Sequence, residues 1–96
     1  MKPSLVLEGR REAARAAAGR RRAANPRAFG SAPQGEDLEG SDIDILVDAL
    51  PGATLFDLGG LQVELEEILG ARVDLLTPGD LSRHFRERAL AEVAPI

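Results

Sequence analysis

Ninety-six residues, 44% apolar and 29% charged, have the composition of one small globular domain with no room for a second core. With no Cys and one His, a disulfide scaffold and a Cys/His zinc site are excluded, so catalysis would have to run on carboxylates, hydroxyls, Arg and a hard metal ion. The net charge of −4 conceals an asymmetry, because eight of the twelve basic residues fall in the first 27 positions, opposed there only by Glu8 and Glu12.

Such a basic segment suggests a contact with something anionic, a nucleotide or an acidic partner, or else a solvated Ala/Arg helix. Three Phe and no Trp or Tyr leave no base-stacking platform, which argues against nucleic-acid binding. No run of eighteen apolar residues and no signal-peptide core occur, so the expectation is a cytoplasmic protein without a membrane partner.

The chain begins with strong helix formers from Leu5 to about Ala18, and Gly19 is placed to end that helix. Arg20-Arg21-Arg22 extend it or form its last turn. Asn25-Pro26 breaks any helix, and Arg27-Ala28-Phe29 is a short strand candidate running into Gly30-Ser31. Ser31 to Ser41 reads as turn and loop.

Asp42 to Asp48 alternates, with Asp42, Asp44 and Leu46 on one face and Ile43, Ile45 and Val47 on the other. Leu58, Leu61, Leu65, Ile68 and Leu69 recur at helical spacing, which predicts an amphipathic helix over Leu55–Leu69 capped by Gly70. Arg72 to Leu76 is the next strand. Thr77, Pro78 and Asp80 occupy N-cap, N1 and N3 positions of a last helix expected to bury Leu81, Phe85, Ala89 and Val93. This order predicts a single α/β (α+β) domain over residues 1–96, with a small mixed sheet of three to four strands and helices packed on one side.

The chemistry-bearing residues are Gly30, Ser31, Asp42, Asp44 and Asp74. Alternate positions on a strand share a face, with Cα atoms about 6–7 Å apart, which suits two carboxylates converging on Mg²⁺. Two such ions about 3.5–4 Å apart can hold the attacking and leaving oxygens of an in-line phosphoryl displacement. Asp74, flanked by apolar residues, is expected to be buried and hence in need of a metal or a partner. Gly30 lets backbone N–H groups approach a phosphate, and Ser31 adds a hydroxyl. Taken singly, Gly-Ser is a common turn and Asp-x-Asp can be a solvent-facing edge; their order and spacing carry the signal. Asp48 has the same parity as Asp44 but is read as structural, and His84 as a surface or interface residue.

Gly30-Ser31, ten intervening residues, Asp42-x-Asp44 and then Asp74 resemble the signature of the minimal nucleotidyltransferases, the smallest members of the DNA polymerase beta-like superfamily. Phe29-Gly-Ser, Ser41-Asp-Ile-Asp-Ile-Leu-Val and Leu69-Gly-Ala-Arg-Val-Asp-Leu-Leu-Thr77 carry the likeness, which runs through nearly the whole chain. It implies a polymerase beta palm-like fold and transfer of AMP from ATP with two Mg²⁺ ions. Asp42 and Asp44 would bind both metals. Asp74 would ligate the catalytic one and help deprotonate the acceptor hydroxyl, with Gly30 and Ser31 on the phosphates.

Small stand-alone members of that family are typically antitoxins in hetero-oligomers with a HEPN-domain ribonuclease toxin, and some silence it by adding AMP to a toxin Tyr. The alternative is a non-catalytic antitoxin that inhibits the toxin by binding alone. Relatives often carry basic residues after Gly-Ser, where this chain has Ala32-Pro33-Gln34-Gly35, so the triphosphate charge falls to Arg residues elsewhere, the N-terminal helix among them. The brevity of the chain favours a protein acceptor over a small molecule, which would need a further domain to enclose it.

Overall fold

The computed structural model describes residues 2–29, 42–82, 87 and 93–96. Pro3 opens helix α1 (Pro3–Gly9), and α2 (Arg11–Arg20) begins after a break at Arg10, whose φ of −123° departs from helical values. The N-terminal helix predicted as one piece is therefore two. Gly19 lies inside α2, which ends a residue later with Arg21 as its cap. Ala14, Ala17 and Ala18 are buried, and their small side chains let α2 sit close on the sheet.

Strand β1 (Ala23–Phe29) starts four residues before the predicted one and runs straight through Asn25-Pro26. Its pairing slips between Ala24 and Arg27, and Asn25 has φ +52°. The two residues form a bulge, where Pro needs no ladder donor and Asn tolerates a left-handed backbone. β2 (Ile43–Ala49) pairs antiparallel with β1, and Phe29 faces Asp44 across the ladder.

α3 (Leu55–Leu69) spans the predicted residues. Thr54 and Asp57 form a reciprocal capping box, in which the Asp57 N–H donates to Thr54 Oγ1 at 3.2 Å and the Thr54 N–H to Asp57 Oδ2 at 3.0 Å. Gly70 ends the helix at φ +62°. Open space surrounds the position of a Cβ there, so Gly70→Ala carries only the backbone penalty. The expected loss is about 1 kcal/mol in urea unfolding.

β3 (Val73–Leu76) then pairs parallel with β2, α3 being the crossover that such a pairing requires. The sheet order is β3-β2-β1-β4, mixed and four-stranded, with β4 (Ala94–Pro95) antiparallel to β1. β4 has no counterpart among the predicted strands; two residues carry no periodicity. The Thr77–Asp80 capping box is present but closes only a 3₁₀ turn, Pro78–Asp80, and Leu81 leaves it extended at ψ 143°. The predicted last helix thus does not run from Pro78 through Leu81. Phe85 and Ala89 lie outside the described residues.

The two faces of the sheet differ. Ile43, Ile45, Val47 and Val73 meet Leu61, Leu65, Leu69 and the α2 alanines in the main core. On the other face Phe29, Leu46 and Leu81 form a smaller cluster with Leu76 and Val93. That second face also carries the aspartates.

Candidate active site

Strand pleating decides where the acids go. With Ile43, Ile45 and Val47 turned to the helices, Asp42, Asp44 and Asp48 must project from the opposite face. Asp42 immediately precedes β2 and is exposed, while Asp44 is half-buried. Asp44 and Asp74 are direct register partners across the parallel β2–β3 pair, so their Cα atoms lie about 5 Å apart. The start of β3 is held in place by two bonds: the Ile43 N–H donates to the Arg72 carbonyl at 2.8 Å, and the Val73 N–H donates to Glu66 Oε2 at 3.1 Å. Sequence reading missed the positioning role of Glu66, whose only signal is an acid one turn from the end of an amphipathic helix.

Asp74 is exposed, which corrects the expectation of a buried acid in an apolar strand. β3 is the edge strand, and its apolar neighbours Val73 and Leu75 face the helices, leaving Asp74 on the open side. Juxtaposition with Asp44, rather than burial, makes it a candidate ligand.

The three carboxylates load one another with charge. Burial raises the Asp44 carboxyl above its ordinary value of 3.8, with repulsion from Asp74 and then Asp42 adding to it. Among the described residues no Arg or Lys forms an ion pair with any of the three. Nor, among these residues, is there a set of three acidic or His side chains already converged at metal-ligand distances. A hard divalent cation fits this donor set: all-oxygen, anionic, and repulsive without a counter-charge.

An acid with a raised folded value contributes stability that is present below the unfolded value and lost as pH rises through the folded one. Asp44→Asn should therefore raise the unfolding temperature at pH 7 in EDTA by a few degrees, about 0.5 kcal/mol after solvent screening, with the difference vanishing near pH 3.

Asp48 goes elsewhere. Its Oδ1 lies 3.1 Å from Nη1 of the buried Arg27, whose guanidinium also donates to the Asn25 carbonyl at 2.9 Å. The open face is thus divided into a carboxylate end at Asp42, Asp44 and Asp74, and an apolar, ion-paired remainder.

The N-terminal arginines are not at this end. Ala23 pairs with Ala49 and Phe29 with Asp44, so Arg20–Arg22 enter β1 at its far end, roughly 15–20 Å from the carboxylates. Arg20 and Arg21 share Glu64 at 3.1 and 3.0 Å, and Arg22 Nη1 donates to the Gly52 carbonyl at 3.2 Å. These three do not supply the missing charge of the Ala32-Pro33-Gln34 loop. Gly30, Ser31, Ser41 and His84 lie outside the described residues.

The nucleotidyltransferase domain family matches residues 14–96. A Methanocaldococcus jannaschii protein, assigned by its name as a protein adenylyltransferase, is 44% identical over 68 residues, 71% of this chain and 73% of its own length. A solved structure assigned as a minimal nucleotidyltransferase superposes with a TM-score of 0.88 at 40% identity, covering 100% of this chain and 97% of that one. A toxin–antitoxin complex solved with AMP-PNP is alike in fold alone, with a TM-score of 0.70 at 23% identity over 83% of this chain and 66% of its own. No helix among the described residues is long and apolar enough to cross a membrane. The chain belongs to the nucleotidyltransferase domain family, and within it to the minimal nucleotidyltransferases of the DNA polymerase beta-like superfamily.

Proposed function

We propose that this protein is an antitoxin nucleotidyltransferase that transfers AMP from ATP to a hydroxyl, a Tyr side chain, of a HEPN-domain toxin and so neutralises it. The observation that carries the reading is the in-register pair Asp44 and Asp74, beside Asp42 and without a protein cation among the described residues. The adenylyltransferase assignment of the M. jannaschii relative supports the AMP donor, and the toxin–antitoxin complex of like fold supports the setting.

Asp42 and Asp44 would hold two Mg²⁺ ions and Asp74 one of them, with Gly30 and Ser31 beside the phosphates. Bound there, the ions supply charge neutralisation for an in-line displacement at phosphorus. The bond that forms joins the acceptor oxygen to the α-phosphorus, the bond that breaks releases pyrophosphate, and the hydroxyl proton passes to Asp74. Because Asp74 is exposed on an edge strand, an acceptor presented on another protein can reach it without passing a lid of described residues.

Incubation with α-labelled ATP, Mg²⁺ and the HEPN-domain protein of the neighbouring reading frame should label that protein on Tyr. Wild-type protein that transfers no label under these conditions would sink the enzymatic reading. Mg²⁺ alone should also raise the unfolding temperature of wild type, and not that of Asp42→Asn/Asp44→Asn.

A further inference from the structure

Strand β3 is paired on one side only, with β2. Successive residues of a strand turn their N–H and C=O groups alternately to one side and the other. The Ile43 N–H donates to the Arg72 carbonyl at 2.8 Å, and Ile43 stands opposite Val73, which fixes the phase of the ladder. Arg72 and Asp74 therefore turn their main-chain groups to β2, and Val73 and Leu75 turn theirs outward. The Val73 N–H is taken by Glu66 Oε2 at 3.1 Å. The Val73 carbonyl and both main-chain groups of Leu75 have no partner among the described residues.

This open stretch lies directly beside the exposed Asp74. Register partners project on the same face, so Asp44 and Asp74 form one row across the sheet. A strand added at the free edge would continue that row. Its residue opposite Asp74 would project on the carboxylate face, with the two Cα atoms about 4.5–5.5 Å apart.

Charge argues against a second copy as that strand. Antiparallel pairing of β3 with its own copy has its two-fold axis normal to the sheet, so the carboxylates of both copies would share one face. Asp44 is already repelled by Asp74 and Asp42, with no ion pair to Arg or Lys among the described residues. Three further acids would add to that repulsion. A segment with an uncharged residue opposite Asp74 meets no such penalty, and a hydroxyl there stands beside the reacting groups.

We propose that the acceptor segment binds as an added strand on the β3 edge, pairing with Leu75 and placing its hydroxyl-bearing residue opposite Asp74. This rests on the reading that the acceptor is a protein. Main-chain bonds hold the segment, and the position opposite Asp74 selects a hydroxyl over a carboxylate. Glu66 occupies the Val73 N–H, which leaves Leu75 as the residue able both to donate and to accept.

Amide hydrogen exchange of this chain tests it, free and with an excess of the HEPN-domain protein of the neighbouring reading frame. The Leu75 N–H should exchange fast in the free protein and at least about tenfold more slowly in the complex. The Asp74 N–H, turned to β2, should be protected in both. Leu75→Pro removes the donor at an edge position, and should raise the KM for the partner at least about tenfold with kcat changed less. If that variant does not fold, the exchange measurement decides alone. Asp42→Ala/Asp44→Ala should retain the protection of Leu75.

The added strand is overturned by a Leu75 N–H that exchanges equally fast with and without the partner, or by a partner that does not bind. Protection of Leu75 in the free protein, by its own chain or by a second copy, overturns it too. Protection on binding without AMP transfer overturns the proposed activity alone. AMP transfer with the Leu75 N–H left exchangeable overturns the added strand alone.

Discussion

Asp44→Ala is expected to lower AMP transfer by at least about a thousandfold, a loss of about 4 kcal/mol of transition-state stabilisation. Of the three aspartates, Asp44 alone is half-buried, and it is flanked by both others: Asp74 lies across the ladder, and Asp42 two residues back on the same face. Removing it takes away the group through which two metal positions would be joined. Asp74→Ala should spare nucleotide binding more than transfer, because in the proposed reaction Asp74 takes the proton of the acceptor hydroxyl.

The measurement is initial-rate label transfer, with circular dichroism and thermal unfolding as controls. Because burial, and then repulsion from Asp74 and Asp42, disfavours the Asp44 carboxylate, the variant should be no less stable than wild type without metal. Retention of transfer within tenfold of wild type would remove Asp44 from the catalytic centre. Neutralisation of the toxin by Asp42→Ala/Asp44→Ala as fully as by wild type would favour the alternative in which binding alone inhibits.

Leu61→Ala should cost about 2–5 kcal/mol and lower the midpoint of thermal unfolding by more than 10 °C. Leu61 has no exposed surface, sits mid-way along α3, and is one of the largest fully buried side chains beside Ile43, Ile45 and Leu65. The α2 alanines offer no long side chain to fold into the space. For a small domain of about 5–10 kcal/mol total stability, that is a large fraction. A midpoint within 3 °C of wild type would show that α3 does not anchor the main core.

Helix α3 and strand β2 were legible because each carries a complete pattern. α3 has five aliphatics at helical spacing and a Gly stop, and β2 has alternating isoleucines and aspartates. Both patterns are local, and the mixed sheet with helices on one side could be built from them. The N-terminal break had one local signal, Gly9, the last residue of α1, but a lone Gly within a run of strong helix formers is also tolerated inside a helix. The β1 bulge was hidden because Asn25-Pro26 reads as an end until Ile96, donating its N–H to the Pro26 carbonyl at 3.0 Å, shows a strand continuing past it. Thr77–Asp80 signalled a helix start correctly in its chemistry and wrongly in its length, because a capping box satisfies the first backbone donors and does not fix how many further turns are added.

Residue order alone specified the family, the class of fold and the three aspartates as a set, because motif spacing and side-chain periodicity are properties of the chain itself. Three things depended on the assembled sheet: that Asp44 stands directly opposite Asp74, that Asp74 is exposed, and that Arg20–Arg22 lie at the end of β1 away from the carboxylates. Each is a matter of strand register and edge position between segments some thirty residues apart, and no local pattern encodes which end of a strand a distant residue will meet.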